Sequence, residues 1–221
     1  MKIEKNTEIR ESELSEAELS AINMMTMTEV KAEDVFTFKA VLCDNQIDRD
    51  NEAFSDEALK QLKILFLGKP VIKDHIPMAD NQVARIYRTE INETSLRKSL
   101  IAYCYMMRTD KNAALIKEIQ GGIKKEGSVG CAIGSKTCNI CGTDLLKTQC
   151  RHIAGKYYKG KLCYHILDNA LDAYEFSLVA VPAQRNAGVS KDFDVQSADE
   201  TLVRARIAGL TIEIGGDFEN E

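Results

Sequence analysis

Five stretches of the chain carry strand-type patterns of apolar residues, and three carry apolar positions at helical spacing. "DVFTFKAVLCD", residues 34–44, gathers β-branched and aromatic side chains in a run of strand length, and "DNQIDRDN" behind it reads as a polar turn. "PVIKDH" predicts a short buried strand ending at His75. "QVARIYRTEI" and "SLIAYCYMM" flank the polar "NETSLRK" and predict a hairpin that extends an antiparallel sheet. In "DAYEFSLVAVPAQ" the alternation puts Ala173, Glu175, Ser177, Val179 and Val181 on one face and Tyr174, Phe176, Leu178 and Ala180 on the other, with Pro182 closing the strand. Helical spacing appears over residues 12–25, where Leu14, Leu19 and Ile22 follow acidic positions, and over residues 55–66, where Ser55 can cap the start and Gly68 stop the end. The third helix is predicted over residues 112–120, ended by Gly121 and Gly122.

Strands and helices mixed along one chain predict an α+β class. A length of 221 residues is enough for one sizeable core with an insert and less regular ends. The expected organisation is an N-terminal helical arm over 1–30, a core domain over 31–190 with an insert at about 136–165, and a C-terminal linker and tail over 191–221. No apolar run approaches the roughly 18 to 20 residues that span a bilayer, and the polar start does not read as a signal peptide, so the expected location is the cytoplasm. The formal charge of −5, with no Lys/Arg cluster beyond "GGIKKEG", speaks against a general grip on nucleic acid.

Seven cysteines, an odd number in a chain without an export signal, favour metal binding over a disulfide framework. Cys138-x-x-Cys141-Gly142 has the form of a zinc knuckle, in which two thiolates grip one ion and glycine relieves the tight backbone. Cys150 and His152, two residues apart in an extended segment, can present a sulfur and an imidazole to the same ion. The four ligands close a tetrahedral sphere, so the expected zinc is structural and helps fold an insert too small for a core of its own. Cys163 and His165 repeat the C-x-H spacing and are alternative ligands.

Of the three histidines, His152 and His165 lie in that insert, which leaves His75 as the imidazole free for general-base work. Ser128 sits between Gly127 and Val129-Gly130 in a small-residue turn, where a substrate carbonyl can approach and backbone amides can receive an oxyanion. Those neighbours by themselves fit an ordinary turn serine equally well.

Read in order, "DRDNEAFS", "GKPVIKDH", "VARIY", "GSVGCAIG" and "YEFSLVAVPAQRNAGV" resemble the successive motifs of the tailed-phage prohead proteases, capsid-maturation serine proteases related to herpesvirus assemblin. The similarity runs from about residue 44 to 189, roughly two thirds of the chain. It implies a small, mostly antiparallel β-barrel flanked by helices, here with a zinc-knuckle insert. It also implies a Ser-His-acid endopeptidase: Ser128 matches the serine of the "S-x-G" motif, His75 the histidine of "D-H", and Glu175, in "E-x-S-L-V", is the expected third member, with Asp172 in reserve. Arg185 is a further candidate for supporting the oxyanion. Major capsid protein and scaffold protein are the implied substrates, cut inside an assembling procapsid in the host cytoplasm by an enzyme that self-associates, with no direct nucleic-acid or membrane partner. The competing expectation is a catalytically inactive, protease-like virion structural or scaffold protein, because a fold does not guarantee activity.

Overall fold

The computed structural model describes residues 14–184 and 187–190. Ser15 caps the first helix, α1 (Glu16–Asn23), in a capping box with Glu18. Then come β1 (Val35–Asp44), β2 (Glu52–Phe54), α2 (Asp56–Leu65), β3 (Pro70–Lys73), β4 (Ala84–Glu93), β5 (Lys98–Met107) and α3 (Asp110–Gln120). The chain continues through β6 (Gly127–Cys138), the two-residue strands β7 (Tyr157–Tyr158) and β8 (Lys161–Leu162), β9 (His165–Leu178) and β10 (Gly188–Ser190). The α+β class holds.

The strands run β10-β1-β5-β4-β3-β9-β2, with β6 on the other edge of β9. β1 and β4 pair antiparallel with the two edges of β5, and this central strand is buried on both faces. Leu100, Ala102, Cys104 and Met106 enter the main core with Phe36, Phe38, Leu42, Leu59, Leu62 and Phe176. Ile101, Tyr103 and Tyr105 face the other way, onto a second cluster around the fully buried Ile22 of α1. The helix predicted over residues 12–25 is therefore packed on the sheet, and it belongs to the same compact unit, Ser12–Ser190, as the strands. A bulge between Val41 and Cys43 turns both Leu42 and Cys43 into the main core, which is why the end of β1 is buried without alternation.

β9 organises the other half. Along one edge it pairs antiparallel with β6 over its whole length, and along the other it pairs parallel with β2 at its start and β3 at its end. Between those two short partners α2 covers the exposed edge: Gln61 Oε1 accepts the N–H of Ala170 at 2.7 Å, and the helix-capping Ser55 donates to Asp168 at 2.5 Å. Ser55 also holds the helix start by accepting from Ala58 N–H at 2.9 Å.

Three expectations are corrected. The named strands leave the sheet open, not closed into a barrel, because β10 is only three residues long and meets the approach to β6 through a single bridge, Glu126 to Gly188. The predicted strand at "PVIKDH" ends at Lys73, since Asp74 and His75 take positive φ angles of 56° and 55°. Ser128, read as part of a turn, lies inside the twelve-residue strand β6. The C-terminal linker and tail lie outside the described residues, as does most of the stretch before Ser15. Among the described residues, no helix is long and apolar enough to cross a membrane.

Candidate active site

His75 leaves the end of β3 on a turn that the neighbouring strand holds. The N–H of Asp74 donates to Leu178 O at 3.0 Å, and the N–H of His75 donates to Ser177 Oγ at 2.7 Å. The imidazole then reaches Glu175, two residues earlier on the same face of β9, with Nδ1 2.7 Å from Oε1. An ionised carboxylate can only accept, so with Glu175 ionised the bond is donated by Nδ1–H of the ring. Exposure divides the pair by role: the His75 side chain is 44% exposed and that of Glu175 only 11%.

Burial raises the Glu175 carboxyl above its ordinary value, and the hydrogen bond and charge of His75 pull the other way without overcoming it. Its second oxygen, Oε2, is buried without a hydrogen-bond partner among the described residues.

β6 brings the serine to this face. Ser128 stands directly across from Ser177, and Gly130 from Glu175. Residues opposite one another in an antiparallel pair share a face with Cβ atoms about 4.5–5.5 Å apart, so the Ser128 side chain projects on the side where His75 and Glu175 meet. The small residues of "GSVG" now have separate reasons. A Cβ at Gly130 would lie 2.5 Å from Glu175 Oε1, in the space the carboxylate occupies. A Cβ at Gly127, on the opposite face, would run into the ring of the fully buried Phe176.

The other edge of β6 opens on a cleft of about 250 Å³, lined by Ser128, Val129, Gly130 and Cys131 together with Leu42, Phe54, Leu167 and the Asp48–Glu52 turn. Val179 N–H donates to Glu126 O, whereas Gly127 N–H turns away from β9 to Ala187 O. Strand alternation points the Val129 N–H the same way as that of Gly127, toward this open edge. Cys131 is no rival nucleophile: burial first and the charge of Glu175 second push its thiol up to about 11, so it stays protonated.

The structure separates the remaining candidates. Asp172, the reserve acid, forms an ion pair with Lys69 at 3.1 Å and accepts from Ala173 N–H, and Lys69 holds its carboxyl below the usual range. Arg185 lies outside the described residues. Ser177, whose hydroxyl accepts the His75 N–H, was not singled out from sequence; the spacing Glu175-x-Ser177, which puts both side chains on one face, was the available signal.

Residues 139–164 form the tip of a long β6–β9 hairpin, whose last pair is Cys138 with His165. At that tip Cys138, Cys141, Cys150 and His152 offer donor atoms within 4.8 Å of one another. Cys141 Sγ lies 3.6 Å from Cys150 Sγ, which in turn is 3.5 Å from His152 Nδ1. Ligands of one tetrahedral ion bound at Zn–S distances are separated by about 3.8 Å, so this donor set could hold a metal. Gly142, at a φ of 72°, makes the knuckle turn by donating to Cys138 O at 2.8 Å. The Thr143 hydroxyl and main chain, ahead of His152 and Cys150, pull the Cys141 thiol down to about 6, whereas Cys150 and Cys163 are raised. Adjacent thiolates oppose one another's ionisation, and a cation is what lets them ionise together. Cys163 Sγ, 3.9 Å from Cys138 Sγ, remains adjacent to this group, and the His165 ring is not among its four donors.

No protein-family model, curated protein or solved structure matches the chain.

Proposed function

We propose that the protein is a serine endopeptidase of the prohead-protease type. The observation that carries this reading is the 2.7 Å bond between His75 Nδ1 and the buried Glu175, formed on the sheet face where Ser128 projects. In the proposed reaction His75 Nε2 takes the proton of the Ser128 hydroxyl as Oγ attacks a peptide carbonyl, and Glu175 steadies the resulting imidazolium. The tetrahedral oxyanion is received by main-chain N–H groups at the open edge of β6, with Val129 the nearest to the nucleophile in sequence. His75 then returns the proton to the leaving amine, and water, activated by the same ring, releases the acyl group.

An extended substrate strand suits a cleft that runs beside a strand edge. The substrates in this reading are capsid and scaffold proteins, cut inside a procapsid in the host cytoplasm by a self-associating enzyme. The ion at Cys138, Cys141, Cys150 and His152 is structural zinc, because four protein ligands leave no open position for water.

Co-expression with the capsid protein tests the activity. Wild type shortens the capsid chain and Ser128→Ala leaves it full length, and a fluorophosphonate label maps to the peptide containing Ser128. Equal processing by both proteins, or a label at another residue, rejects the assignment.

A further inference from the structure

We propose that Ser177 and Asn81 are positioning residues that clamp the turn carrying His75 from its two sides, and thereby hold the imidazole against Glu175. The proposal rests on the reading of His75 as the general base.

Asp74 and His75 are consecutive non-glycine residues in the left-handed region, with φ of 56° and 55°. Residues with a Cβ avoid that conformation, so the turn persists only where its surroundings over-determine it. From the sheet side, Ser177 Oγ accepts the His75 N–H at 2.7 Å. Ser177 is wholly buried, in a strand where Phe176 and Leu178 pack into the apolar core, so its hydroxyl departs from the surrounding chemistry in order to meet a main-chain donor. From the solvent side, the Asn81 amide spans the turn, with Nδ2 donating to Lys73 O at 2.6 Å and to Ile76 O at 3.0 Å. Both acceptors are carbonyls, which requires the nitrogen, not the oxygen, of the amide to face them. Four consecutive residues are thereby tied at both ends and in the middle.

The same clamp sets the distance between base and nucleophile. Ser177 is the cross-strand partner of Ser128, so one side chain of β9 contacts the main chain of His75 and stands beside the serine. Neither Ser177 Oγ nor Asn81 Nδ2 needs to touch substrate. Their effect passes through the orientation of His75, and an error of about 1 Å in such a position costs roughly 10²-fold in rate.

The test uses full-length protein with ¹⁵N-labelled histidine. Only three histidines contribute, and His75→Gln identifies the signal. In wild type the ring nitrogens of His75 should report a fixed Nδ1–H tautomer. Ser177→Ala and Asn81→Asp should each give averaged tautomers and a roughly 10²-fold lower kcat with little change in KM, while Ser177→Thr, which keeps the hydroxyl, restores the wild-type spectrum. Variants that lose melting temperature but keep the wild-type His75 spectrum overturn the proposal; Asn81→Asp, at the partly exposed side, decides the matter if Ser177→Ala does not fold. A wild type with a pinned His75 ring but no fluorophosphonate label at Ser128 removes the protease reading, and the variant spectra still judge the clamp.

Discussion

A methyl group at position 130 would lie 2.5 Å from Oε1 of Glu175, the oxygen that bonds His75. What it meets is the end of a flexible side chain, so Gly130→Ala should fold and displace the carboxylate. We expect about 10²-fold lower turnover with a nearly unchanged melting temperature, measured on one purified variant. Glu175→Gln separates catalysis from stability more sharply. Turnover should fall by roughly 10³- to 10⁴-fold, as for the acid of other triads. Stability follows the opposite sign. Because burial raises the folded pKa of Glu175, its protonation stabilises the fold fully below the ordinary value of 4.5, and that contribution is lost as pH rises through the raised value. Relative to Glu175→Gln, wild type should therefore lose stability across the interval just above pH 4.5, and then run parallel to the variant. Melting curves over a pH series that show no such interval would contradict the burial of this carboxylate. At this scale the residue types were legible: His75 stands alone outside the insert, and Glu175 and Ser177 share a face by simple alternation. The role of Gly130 was not, because a missing Cβ gains meaning only from the atom that fills its place.

The β6–β9 hairpin joins the two chemical halves of the protein. Ser128, Ser177 and Glu175 lie toward one end, and Cys138 pairs with His165 at the other, where the knuckle begins. A metal at the tip closes a connection of irregular chain that has little apolar packing of its own. Removing zinc with a strong chelator, or losing it through Cys138→Ser, should lower the melting temperature by on the order of 10 °C, since a chain of this length shifts about 2–4 °C per kcal/mol. Mass spectrometry of the native protein should show one bound ion in wild type and none in Cys138→Ser. A wild type that carries no metal and melts unchanged with chelator would remove the brace. α2 and the strands β1, β4 and β5 were readable from their apolar patterns, and burial matches in α2, where Ala58, Leu59 and Leu62 form the inner face. β6 was not readable. "GSVGCAIGSKTC" has glycine where strands usually carry bulky side chains, and here glycine marks the close approach of Phe176, Glu175 and Asn169 instead of a turn.

At the level of the whole molecule, β9 has β3 on one edge and β6 on the other, which brings the residues of the proposed triad, His75 and Ser128, to either side of the strand that carries Glu175. Groups assembled in this way act as a unit. The double variant Ser128→Ala/His75→Ala should therefore be no more than about tenfold slower than Ser128→Ala alone, far from the product of two independent losses. Multiplicative effects in single-turnover cleavage assays would mean that the two side chains do not share one reaction step. The sequence by itself determined the α+β class, the helices, most of the longer strands, and the four residues that could hold a metal, since periodicity and ligand spacing are local properties of a chain, whereas Ser128 and Glu175 were expected only through the family resemblance. Tertiary structure alone decided that the sheet stays open, that α1 packs on its outer face, and that His75 turns back in a left-handed conformation. Those outcomes depend on strand order, register and desolvation, which arise from contacts between residues far apart in the chain and leave no trace in any short window of it.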